Sequence, residues 1–214
     1  MRPRIILLVF RVFFAALTLW AVVAQFTYAS SRGFSPVNFF SFFTIESNLF
    51  AAGVLLALAL VPSWRRASNV RDNVRGAATF YMVTTGITYV LLLSGSEEAL
   101  QTQILWVNLV LHYIMPIVVF FDWVVNPPEH TISFRRALIW LVYPILYLAY
   151  SLIRGPAVGW YPYPFLDPGR AGGYGGVALY AAAVTIAILI LIGLLLWIGR
   201  RRGGRRLRTG AQEA

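Results

Sequence analysis

The chain has 214 residues, 59% of them apolar and 12% charged, with a mean hydropathy of +0.70. A soluble domain carries roughly 45–50% apolar and about 25% charged residues. Composition therefore excludes a soluble globular domain, a disordered chain and a nucleic-acid module, the last despite a net charge of +10. All 18 basic residues are Arg, Cys is absent, and His112 and His130 are the only imidazoles. Disulfides, thiolate metal sites and cysteine nucleophiles are thereby removed, and two His do not make a metal site.

A bilayer-spanning helix needs roughly 20 mostly apolar residues. Six stretches come close to that: Ile5–Ala29, Phe42–Val61 (or from Pro36), Ala77–Ser94, Ile104–Val125, Ala137–Ile153 and Val177–Ile198. With no water in the hydrocarbon the backbone must bond to itself, so the expected fold is all-α: a polytopic membrane protein of six helices. Residues 1–199 form one transmembrane domain, and residues 200–214 form an Arg-rich tail expected to be disordered. The first apolar stretch exceeds the ~7–15 residues of a signal-peptide core, so it is expected to remain as a span.

The arginines set the expected orientation. Fourteen lie at the N-terminus, in the second and fourth loops and at the C-terminus; Arg32, Arg154 and Arg170 lie on the other side, and Arg11 lies inside the first span. Both termini are thus expected in the cytoplasm. The tail anchors that side, and can grip anionic lipid head groups at about 1 kcal/mol per basic residue.

Polar residues at depth carry the information, because each needs a partner or a cavity. Ser35-Pro36-Val37-Asn38 reads as an N-cap Ser with Pro at the first helical position. A helix from there puts Thr44 ~12 Å from the outer end, with Ser41 and Asn48 on its face. His112 lies at a matching ~12 Å in the fourth span, one turn below Asn108. Pro116 is expected to leave the His112 carbonyl unpaired and to kink that helix. Tyr143, Tyr147, Tyr150 and Ser151 form a stripe on the fifth span, and Thr84, Thr85 and Thr88 lie on the third. Glu46, about 200° around the helix from Thr44, needs a cation or a proton. Arg154 is its expected ion-pair partner. Asp122 lies ten residues past His112, too far to orient that ring. The loop Trp160–Asp167 reads either as an interfacial aromatic belt or as a lid over an outward-opening cavity.

No haem-ligand pair, phosphate cradle or G-x-S-x-G elbow is present, and no cofactor is expected. What remains is a hydroxyl and an imidazole. Thr44 becomes a nucleophile when His112 takes its proton, with Asn48, Asn108, Ser41 or Tyr147 as substrate or oxyanion donors. On these residues alone, a Thr bonded to its own helix and a His bonded across helices is the commoner arrangement.

Three segments carry a resemblance. They are Asn38–Asn48 with its FFTxxSN run, Asn108–Pro116 with HxxxP, and Trp160–Asp167 with YPYPFLD. Together they are similar to the androgen-induced / androgen-dependent membrane protein family, in its bacterial six-span, proline-rich branch. The similarity runs from the first span to the sixth and omits only the Arg tail. The resemblance implies an intramembrane threonine hydrolase of lipid esters, as in animal members that cleave fatty acid esters of hydroxy fatty acids. It assigns the nucleophile to Thr44 and the base to His112. The expected partners are membrane lipids and a lipid ester substrate. The alternative is a lipid or small-molecule transporter, or a binding protein, without covalent chemistry.

Overall fold

A computed structural model describes residues 2–95 and 103–210. Among them the secondary structure is helical, with no strand. Six helices are long and apolar enough to cross a membrane: Ile5–Ser31, Phe43–Leu60, Asn69–Leu93, Leu105–Val125, Phe134–Val158 and Gly173–Arg201. The chain is a six-span helical membrane protein.

Local chemistry sets the helix ends. Ser35 caps a short helix, Pro36–Phe40, with its Oγ 3.5 Å from the Asn38 N–H. The chain then breaks at Ser41 and Phe42 and restarts as Phe43–Leu60. The second span thus follows the Phe42–Val61 expectation, the alternative start at Pro36 is a separate short helix, Ser41 lies in the break between them, and Thr44 is in the first turn of the span instead of eight residues into it. The third span starts earlier than its hydropathy indicates. Ser68 caps it by accepting the Arg71 N–H at 3.1 Å, so Arg71 and Arg75 are helical instead of lying in a loop. The fifth span begins at a Ser133 cap and ends at Gly159, whose φ of +65° suits a residue without a side chain. The last helix, Gly173–Gly210, carries on into the Arg-rich segment expected to be disordered, and residues 211–214 lie outside the described residues.

The second, third and fourth spans form the centre of the bundle. Of the most apolar stretch of the third span 67% is buried, against 17% for the fifth, which lies at the edge. The first span packs on the second, and the third packs on the fourth.

Toward the Arg-rich end, the bundle closes around buried charges. Asp122 of the fourth span receives Arg11 of the first at 2.8 Å and Arg75 of the third at 3.1 Å. Arg71 pairs with Asp72 at 2.8 Å, and Asp72 Oδ2 accepts the Glu129 and His130 N–H groups at 3.0 and 2.9 Å. Arg11, Arg71, Arg75, Asp72 and Asp122 are all buried. Asp122 is thus a tie between three helices, a role its distance from His112 left open.

Candidate functional site

The restart at Phe43 buries a helix N-terminus inside the protein. First-turn N–H groups have no partner within their own helix, and Phe42 offers no side-chain cap. Two tyrosines from other elements supply the acceptors. The Phe43 N–H donates to Tyr147 of the fifth span at 3.3 Å. The Thr44 N–H donates to Tyr163 of the aromatic loop at 3.2 Å. Tyr147 in turn donates to the Ser41 carbonyl at 2.8 Å. Thr44 Oγ1 lies 3.4 Å from the Tyr163 hydroxyl.

The fifth span carries this attachment further in both directions. Tyr150 lies 2.8 Å from Ser41 Oγ, whose own proton goes to the Val37 carbonyl at 2.7 Å. Tyr143 donates to the Glu46 carboxylate. Arg154 donates to Asn38 Oδ1 at 2.6 Å and lies over the Trp160 ring. The expected Glu46–Arg154 ion pair is therefore not formed. Arg154 is level with the short helix, and Glu46 is level with Tyr143, almost three helical turns earlier on the same span.

His112 is buried in a five-residue π turn, Val110–Ile114, just before Pro116. The wider turn is how the helix accommodates the missing proline N–H; the Met115 N–H donates to the Val110 carbonyl. Gly86 of the third span lies flush against this turn. A Cβ there would be 2.9 Å from Pro116 Cβ and 3.3 Å from the His112 carbonyl oxygen. The imidazole stacks on Tyr89 at 4.0 Å between centroids. Its Nδ1 lies 3.2 Å from the Asn108 carbonyl oxygen. A carbonyl only accepts, so Nδ1 carries the proton and the Nε2 lone pair of the neutral ring is left to accept one.

Asn48 joins the two halves. Its amide nitrogen donates to the Thr44 carbonyl at 2.8 Å and to the Leu111 carbonyl at 3.1 Å. The Thr44 turn and the His112 turn are thus neighbours. Among the described residues no hydrogen bond joins the Thr44 hydroxyl to His112. With both amide hydrogens committed, Asn48 is not the oxyanion donor that the sequence offered. Asn108 donates to Tyr89 at 2.6 Å, and Ser41 and Tyr147 have each committed their one proton to a backbone carbonyl.

Thr44 lines a cleft of about 140 Å³. Thr44, Thr84, Thr85, Thr88, Tyr147 and Tyr163 bring polar groups to its wall, and Phe43, Ile145, Leu148, Phe165, Val184 and Ile188 make it greasy. His112 is not in that wall. Thr85 is committed, sharing a hydrogen bond with Ser47 at 2.9 Å, whereas the buried Thr84 hydroxyl has no partner among the described residues. Tyr163 is the residue that the sequence reading did not single out. Its signal was the aromatic loop itself, whose Tyr161 ring fits closely against Gly155 and whose Asp167 caps the next turn at Gly169.

No protein-family model, no curated protein and no solved structure matches the chain.

Proposed function

We propose that this is an intramembrane hydrolase of lipid esters, with Thr44 as nucleophile and His112 as general base. The observation that carries the reading is the position of the Thr44 hydroxyl. It is a nucleophile type in the wall of a largely apolar cleft of about 140 Å³ between the third, fifth and sixth spans. Asn48 ties its turn to that of a histidine whose Nδ1 faces a carbonyl. The likeness to the androgen-induced family points to the same pair.

In this reading an ester enters between the fifth and sixth spans with its chains among Ile145, Leu148 and Val184. His112 Nε2 takes the Thr44 proton, directly or through one water, and the alkoxide attacks the ester carbonyl. His112 then protonates the departing alkoxide. Water, deprotonated by the same nitrogen, releases the acid from acyl-Thr44. In this reading both termini lie in the cytoplasm, as the arginine bias favours, the cleft opens toward the outer leaflet of a bacterial inner membrane, and the Arg tail lies on anionic head groups.

A lipid-binding or transport protein without chemistry is the second reading. The absent Thr44–His112 hydrogen bond favours it. Turnover separates the two. Purified protein in nanodiscs should hydrolyse 4-nitrophenyl palmitate, and Thr44→Ala or His112→Ala should remove that activity while leaving the unfolding temperature within a few degrees. Equal turnover by either variant contradicts the hydrolase.

A further inference from the structure

We propose that Tyr163 is a third catalytic group, whose phenolic O–H donates to the oxyanion formed when Thr44 attacks the ester. The proposal rests on the hydrolase reading and deepens it. Tyr147, Ser41 and Tyr143 have each given their proton to an acceptor already present. Tyr150 faces a serine whose proton is committed, so it is the donor in that pair. Asn48 has no hydrogen left. Tyr163 differs from all of these. It accepts the Thr44 N–H, and the acceptors beside its own proton are the hydroxyl oxygens of Thr44 and Tyr147 instead of a backbone carbonyl. The hydroxyl is 3.4 Å from Thr44 Oγ1 and belongs to the cleft wall. Thr84 also lines the cleft, and among the described residues its hydroxyl makes no hydrogen bond, to Thr44 or to any other group.

The balance of the step is simple. The Thr44 oxygen bonds to the carbonyl carbon, and the π pair moves onto the carbonyl oxygen. Tyr163 hydrogen-bonds that oxygen and keeps its proton. The pair returns as the C–O bond to the alcohol breaks, and His112 delivers a proton to the alkoxide. Burial pushes the Tyr163 phenol above its ordinary value, so the group stays protonated, as a donor must, at neutral pH.

A merely structural Tyr163 would cap the Thr44 N–H and nothing more. Single-turnover acylation with 4-nitrophenyl palmitate in nanodiscs distinguishes the roles. Tyr163→Phe should slow acylation of Thr44 by roughly a hundredfold with KM within about threefold, the loss typical of one oxyanion donor. Tyr150→Phe removes a hydroxyl from the same break outside the cleft and should acylate at the wild-type rate. Incorporation of 3-fluorotyrosine at position 163 keeps the cap and makes the phenol more acidic. It should move the alkaline limb of the pH–rate profile to lower pH. Wild-type acylation in Tyr163→Phe, equal losses in Tyr163→Phe and Tyr150→Phe, or an unmoved alkaline limb each overturn the proposal and leave the hydrolase standing. Absence of any acyl-Thr44 in the wild-type protein overturns the hydrolase reading itself, and this proposal with it.

Discussion

At the scale of single residues, Gly86 decides how closely the third span approaches His112. A methyl group there would meet Pro116 and the His112 carbonyl at 2.9 and 3.3 Å, and both belong to a helix held on several sides. Gly86→Ala should cost about 1–3 kcal/mol, the usual cost of overpacking. Thermal unfolding in detergent should show a lower midpoint; an unchanged midpoint would mean the fourth span gives way freely. Thr44 and His112 were legible in the sequence, because a hydroxyl and an imidazole at depth need an explanation. Tyr163 was not. The loop's composition marked it as aromatic, but only its fold brings one phenol to the Thr44 N–H. Glu46 shows the converse: its need for a partner was legible, and the partner proved to be the Tyr143 hydroxyl instead of the Arg154 guanidinium.

At the scale of elements, the fifth span is attached by side chains. Tyr143, Tyr147, Tyr150 and Arg154 lie in one row, and each reaches the second span, the break before it or the short helix. Most of the remaining surface of this span is exposed. Tyr143→Phe combined with Arg154→Leu removes the hydrogen bonds at both ends of the row. Spin labels at the exposed Leu146 and Ile186 should then report a broader distance distribution between the fifth and sixth spans. An unchanged distribution would show that Tyr147 and Tyr150 suffice. The stripe of tyrosines was visible as a periodicity. The break at Ser41 and Phe42 was not, because both flanks read as one apolar run beginning at a good cap.

Across the whole molecule, the bundle is tied by charge at one end and by tyrosine hydroxyls nearer the other. Asp122 joins three helices through Arg11 and Arg75. Asp122→Leu would leave two buried guanidinium groups without their carboxylate and should cost about 3–5 kcal/mol, the range for breaking one side of a buried ion pair. Unfolding in denaturant should show that loss, and a loss below about 1 kcal/mol would place those arginines in water. Six spans were legible from length and hydropathy alone. The buried cluster was hidden, because Arg71 and Arg75 look like loop residues until Asp72 and Asp122 are seen to neutralise them.

Covalent capture at Thr44 tests the account most directly. Purified protein mixed with 4-nitrophenyl palmitate, quenched in acid and digested, should yield a peptide carrying one palmitoyl group on Thr44. The adduct should be missing from the His112→Ala variant. A wild-type protein that releases nitrophenol with the acyl group on another side chain, or that binds the ester and never forms the adduct, would contradict the account.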